Sequence, residues 1–421
     1  MELNIKNFAR IKEASIKIDG ITVIAGENNT GKTTIGKILF ASFNSLNNID
    51  SKVEKEINLS VKNLLMSFLE FISFYTKRKS GIINRIPNNK ILSNILNDIN
   101  KKEEDIEKII INNIEKYIDI NDKSISKNIE YIVNKIKEYK NISYEKLSFN
   151  IVSEYYNELF YNQINSRIDK DTIAEIIIKD VGISFEFQND KCSNIKKDFH
   201  NNNAFFIYDP FVLDRIHYSR LIIDSHLTDK ILIAYSRNYI VDKTLAEEKL
   251  EIVYNKLSNA INGIIKKEKV KENNDFSLDS EIFSEPISIH NLSAGLKSFT
   301  IIKMMLEKNI LKEKDILVLD EPEIHLHPKW QLLYAEIIVL IQKVFNLYIV
   351  ITTHSPFFLE AIELYTKKYK VDDKTNYYLA DTEDNYSIMK LVNDRVYDIY
   401  HKMAIPIKDL EELADKLEGE Q

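Results

Sequence analysis

The segment Gly26-Glu27-Asn28-Asn29-Thr30-Gly31-Lys32-Thr33-Thr34 has the spacing G-x4-G-K-[ST]. The apolar run ITVIA precedes it with the length of a buried strand, and TGKTTIGKILFASF continues as a helix. A strand, a glycine-bounded turn and a helix in that order predict a loop that cradles phosphate. Gly26 and Gly31 allow the tight turn, so that amides of the Asn28, Asn29 and Thr30 stretch point inward at an anion. The positive N-terminus of the following helix faces the same anion. In such a loop Lys32 reaches the β- and γ-phosphates, the Thr33 hydroxyl completes a Mg²⁺ shell, and Thr34 hydrogen-bonds the α-phosphate.

A cradle of this type needs a second strand that ends in an acid. ILVLDEPEIHLHPKW (316–330) supplies it: four apolar residues lead to Asp320, expected to hold Mg²⁺ through water, and Glu321, expected to polarise an attacking water as general base. His325 and His327 follow. On an extended segment both rings would lie on one side, as a metal site requires. No third or fourth ligand is apparent in the sequence, however, and Pro328 reads as the first turn of a helix. The expected role of the pair is to shape a loop.

Around these segments the order is α/β. MELNIKNF, ASIKIDG, GISFEF, AFFIY, PISIH, LYIVIT and NYYLA read as strands, with helices after Ser293, from Pro328 and after Ser355, and over Thr244–Ile265. Between Asn44 and Ile178 amphipathic helical patterns such as KNLLMSFLEFISFY dominate, and Pro87 is the only proline. The expected organisation is a P-loop head with a mixed or parallel sheet, in two parts (1–44 and 181–400), a helical insertion lobe (45–180) and a tail (401–421). Residues 51–150 hold 18 basic and 14 acidic residues, against a net charge of −7 for the chain. That balance disfavours a molecule coated with nucleic-acid-binding surface. Lys77, Arg78, Lys79, Arg85 and Lys90 form the best candidate patch. One cysteine, Cys192, excludes an internal disulfide framework, and no window reads as a secretory signal or a membrane span. A cytoplasmic protein is expected.

Two further stretches carry a family resemblance. NLSAGLKSF (291–299) resembles the signature loop of ABC-class ATPases, and ITTHSP (351–356) resembles their switch-histidine strand end. With DEPEIHLHPKWQ and THSPFFLEA, the chain is similar to the OLD-like, RecF/SMC-related branch of bacterial AAA-type ATPases. The resemblance covers about a third of the chain. It implies that Ser293 and Gly295 open a helix capping the γ-phosphate of ATP bound to a second copy, giving a homodimer or higher even oligomer. It implies that His354 touches the γ-phosphate and that Lys297 adds charge across the interface. Ala294 and Leu296 depart from the family pattern, and Gln188 is the candidate for the glutamine that usually approaches the metal. About 60 residues follow the histidine, too few for the Toprim nuclease domain of OLD nucleases, and Asp381, Glu383 and Asp384 read as an acidic turn.

Three functions compete on this reading. One is an ATPase subunit regulating a separately encoded nuclease or toxin in anti-phage defence, as in Septu-like or retron-associated systems, with nucleic acid engaged through the partner or the lobe. A second is a DNA-repair ATPase acting directly on DNA. The third is the ATP-binding subunit of a transporter. ATP turned over slowly, with the heads as a scaffold, is compatible with the same residues.

Overall fold

Four runs of consecutive apolar residues, ITVIAG, AFFI, ILVLD and YIVITT, are buried along almost their whole length. Strands covered on both faces have this composition, and parallel sheets with helices on either side are where they occur. In the computed structural model they become β3 (Ile21–Gly26), β7 (Ala204–Ile207), β11 (Ile316–Asp320) and β12 (Tyr348–Thr353). Together with β13 (Thr375–Glu383) they lie in the order β13-β3-β12-β11-β7, all parallel. Residues 1–80, 87–101, 105–198, 202–218, 220–236, 251–270 and 273–419 are described.

The register sets the site. Asp320 pairs with Thr352, Thr352 with Ile24, and Thr353 with Ala25. The ends of β3, β11 and β12 therefore meet on the carboxyl edge, where open α/β sheets bind ligands. Helix α1 (Lys32–Leu46) lies against this half so closely that a Cβ on Gly36 would stand 2.5 Å from Val318 and 2.8 Å from Phe206. Phe299, Met305, Tyr334, Ile338, Phe358 and Ile362 complete the core around the parallel strands. Each such side chain contributes about 1.5–3 kcal/mol by leaving water.

The other half of the sheet is antiparallel apart from one parallel pairing, at Ser387 and Ile11. Strand β14 (Tyr386–Leu391) folds back on β13 and meets β2 (Ile11–Lys17), and β1 (Glu2–Phe8), β4 (Ala174–Lys179), β5 (Ile183–Gln188) and β6 (Lys191–Lys196) follow. Here burial alternates, with Leu3, Ile5 and Phe8 of β1 and Ile183, Phe185 and Phe187 of β5 turned inward. Tyr156 and Phe160 cover them, with ring centroids 4.6 Å from Phe187 and 4.8 Å from Phe8 respectively.

The chain divides into two compact units, Met1–Asn47 with Val152–Gln421, and Asn48–Ile151. The expected lobe of 45–180 is therefore too long. Residues 174–179 pair with β1 as a strand of the head sheet, from Ala174 to Lys179. The second unit is helical: α2 (Ile49–Ser80), α3 (Asn88–Lys101), α4 (Ile106–Ile114), α5 (Lys123–Lys140) and the first half of α6 (Tyr144–Phe160). Val61, Leu65, Phe68 and Ile72 of α2 meet Ile91, Ile95 and Ile99 of α3 and Ile125, Ile129, Ile132 and Ile136 of α5 in one core. Their three- and four-residue spacing is the stripe that a helix buries.

Three expectations need correcting. Within α2, Ile49–Arg78 is long and apolar enough by length and composition to cross a bilayer, contrary to the sequence reading, although its apolar stripe is part of the unit's core. The helix expected over Thr244–Ile265 comes after α7 (Ile222–Tyr235) and falls partly outside the described residues; within them it is confined to α8 (251–257), and β8 (Ile264–Val270) has begun by Ile264. PISIH contributes only Ile287–Ser288, as β10 in a separate antiparallel sheet with β9 (Asn273–Asp279) and β8. Lys77, Arg78 and Lys90 are exposed, while Arg85 and the Lys79 side chain lie outside the described residues.

Candidate active site

Gly26 ends β3 where a Cβ would come within 2.2 Å of the Ala380 carbonyl oxygen, so no larger residue fits. Gly31 has φ +86° and precedes α1 without a side-chain cap, so the first turn faces the loop with no competing acceptor. Asn28 and Asn29 are exposed at the tip; Asn29 is left-handed, and its carbonyl accepts from Arg10 Nη1 at 3.2 Å. Arg10 also donates to Asn385 O, which ties the loop to the β13–β14 turn. Thr30 is buried and donates to Glu27 O at 2.8 Å. Thr34 N–H donates to Gly31 O at 3.1 Å.

The Lys32 ammonium is enclosed by its own loop and donates to Gly26 O at 3.0 Å and Glu27 O at 2.7 Å. Burial lowers its pKa, and the carboxylates of Glu321, Asp320, Glu323 and Glu27 oppose that shift. Thr33 Oγ1 donates to both Asp320 oxygens, at 3.0 and 2.9 Å, across 287 residues of sequence. Thr352 Oγ1 donates to the same carboxylate at 2.6 Å. Burial raises the pKa of Asp320, while the Thr352 and Thr33 bonds and Lys37 favour its charged form. A hydroxyl oriented on a carboxylate is an oxygen donor set that suits a hard cation such as Mg²⁺.

Glu321 follows with φ +50°, a left-handed conformation unusual for its residue type, stabilised by bonds from its N–H to Thr352 O (3.1 Å) and Thr352 Oγ1 (3.0 Å). Its carboxylate accepts from His354 Nε2, so the candidate base and the switch histidine are in direct contact. Glu323 is buried; burial raises its pKa, and hydrogen bonds from the β12 end counter that.

The other motif residues lie apart from this cluster. Ser293 is exposed and caps α9 (Ala294–Glu307) through a bond from Leu296 N–H at 3.3 Å. Among the described residues no hydrogen bond joins it to the cradle within the chain. Gly295 is buried, and a Cβ there would press on the Trp330 ring at 3.0 Å. Lys297 corrects the sequence reading. It is 2% exposed, and its Nζ donates to both Asp214 oxygens at 2.7 Å and to His290 O at 3.0 Å. All three donors are used inside the chain, so this lysine does not reach outward. His327 caps α10 (Pro328–Phe345), accepting from Lys329 N–H, and His325 packs edge-on against Phe211. Gln188 ends β5, six strands from β3 and therefore far along the sheet from the cradle; beside β11 the edge position is held by Tyr208, directly after β7.

Tyr208 and Lys37 were not singled out in the sequence. They line a cavity of about 210 Å³ that also includes Thr33, Asp320 and Phe206. The pointer was present: AFFIYDP and ILVLDEP are both apolar runs ending in polar residues before a proline.

A family model described as AAA ATPase domain matches residues 1–359, a span holding the cradle, Asp320, Glu321 and His354. The chain belongs to this family. It is 23% identical over 407 residues to "Endonuclease GajA" of Bacillus cereus (strain HuB5-5). That alignment covers 89% of the chain and spans 57% of the relative's length. Two solved structures are similar over most of the chain. The "SmcHead bound to the C-winged helix domain of ScpA" is 13% identical with TM-score 0.39, covering 93% of this chain and 96% of that one. The SMC head domain from Thermotoga maritima is 11% identical with TM-score 0.38, covering 93% and 98%.

Proposed function

We propose that the chain is a Mg²⁺-dependent ATPase whose head pairs with a second copy through jointly built nucleotide sites, and that it regulates a separately encoded effector, a nuclease or toxin. The observation that carries the catalytic reading is the Thr33–Asp320 contact, which brings the end of the cradle and the acid strand to one point beside Lys32. In this reading the loop amides and Lys32 bind the triphosphate, and Thr33 and Asp320 hold the metal. Mg²⁺, when bound, neutralises charge on the β- and γ-phosphate oxygens. Glu321 accepts the proton of the water that attacks the γ-phosphorus as the bond to ADP breaks, and His354 orients that carboxylate.

Pairing is supported by the division of motifs within one chain: Ser293 is exposed and unconnected to the cradle. Ile324, in the loop after Glu321, and Phe357, in the first turn of the helix after His354, are each 62% exposed. The effector reading is supported by the similarity to a relative described as an endonuclease. Phosphate release assays test the chemistry. Lys32→Ala is expected to abolish ATP binding. Glu321→Gln is expected to retain binding and lower turnover by about 10²–10⁴-fold, the contribution of a general base. Unchanged turnover in Glu321→Gln would contradict the assignment.

A further inference from the structure

The second glutamate of DEPE has no part in the chemistry just described, yet it is 4% exposed and densely bonded. Glu323 Oε1 accepts from the Thr353 hydroxyl, from His354 N–H at 3.0 Å and from Ser355 N–H at 3.3 Å. These are three consecutive residues at the turn from β12 into α11 (Pro356–Tyr369). Gln331 closes the circuit from the other side. Its Nε2 donates to Leu326 O at 3.1 Å and Glu323 O at 3.4 Å, and its Oε1 accepts from the Ser355 hydroxyl at 2.9 Å. The Ser355 oxygen in turn accepts from Phe358 N–H at 3.2 Å, capping α11. The loop after the acid strand and the loop carrying the histidine are thus one hydrogen-bonded body.

We infer that Glu323 is a positioning residue, which fixes the backbone of His354 so that its imidazole stays on Glu321. The part played by His354 rests on the ATPase reading above; the fixing of the turn is a property of the fold. Glu323 is withdrawn from substrate water by its burial; Oε1 takes the three donors, and Oε2 is buried without a hydrogen-bond partner among the described residues. Convergence of three donors on one carboxylate oxygen fixes the turn more firmly than a single bond would, and losing the acceptor leaves the half-buried His354 N–H without its partner, while Ser355 N–H keeps the Thr353 hydroxyl at 3.0 Å. A neutral amide oxygen at the same place still accepts the three donors; a methyl group does not.

The test compares Glu323→Gln and Glu323→Ala in the full chain by ATP turnover and by amide hydrogen exchange of the segment holding His354 and Ser355. Glu323→Ala is expected to lower kcat at least tenfold with KM within twofold, and to speed exchange of that segment at least tenfold. Glu323→Gln is expected to keep both within threefold. Turnover and exchange unchanged in Glu323→Ala would overturn the inference, and so would Glu323→Gln as slow as Glu323→Ala. Should Glu323→Ala fail to fold, Thr353→Val removes one of the three donors; faster exchange supports the inference and unchanged exchange overturns it. If the unaltered chain hydrolyses no ATP, the ATPase reading fails, while exchange in the same variants still decides whether Glu323 carries the turn.

Discussion

Lys297 lies in the first turns of α9, where the helix dipole disfavours a cation, and it is buried as well. Asp214 is what makes that placement tolerable. Replacing Asp214 by Ala leaves an ammonium without its counter-ion. A fully buried pair broken in this way costs about 3–5 kcal/mol, and Asp214 is a third exposed, so about 2 kcal/mol is expected in urea denaturation. The double variant Asp214→Leu/Lys297→Met should recover most of it. Full stability in Asp214→Ala alone would contradict this account. Sequence could not supply the pairing, since the partners are 83 positions apart and nothing local marks Asp214. Lys32 and Thr33 were legible for the opposite reason: strand, turn and helix are contiguous, and the chemistry of the loop follows from their order.

Helix α1 transmits the position of that loop to the sheet. Its closest approach is at Gly36, and Gly36→Ala would force Val318 or Phe206 aside, at a cost of about 1–3 kcal/mol from overpacking. A thermal melt of that variant should show the loss, and an unchanged melting temperature would mean that α1 is less tightly seated than described. The parallel strands were readable because burial on both faces leaves an unbroken apolar signature. Strand β4 was not, because AEIIIK is short enough to fit a helical stretch equally well. Strands β8 and β9 were invisible for a related reason. IIKKEKV and NNDFSLD carry many charged and polar residues, and pairing with each other and with β10 decides their conformation. Tyr208 and Gln188 follow the same logic, since a position on the carboxyl edge depends on strand order, which no local pattern states.

For the head as a whole, the cradle, the Thr33–Asp320 contact and the Glu321–His354 contact are gathered on one sheet edge, and the exposed start of α9 is left out of that group. The account requires this missing part to come from a second copy, with ATP as the bridge. The most direct measurement is the mass in solution of the Glu321→Gln chain with and without Mg-ATP. A shift from monomer to dimer on adding ATP, lost in Ser293→Arg, is the predicted result. A mass equal to one chain at saturating ATP, with binding verified in the same sample, would contradict the account.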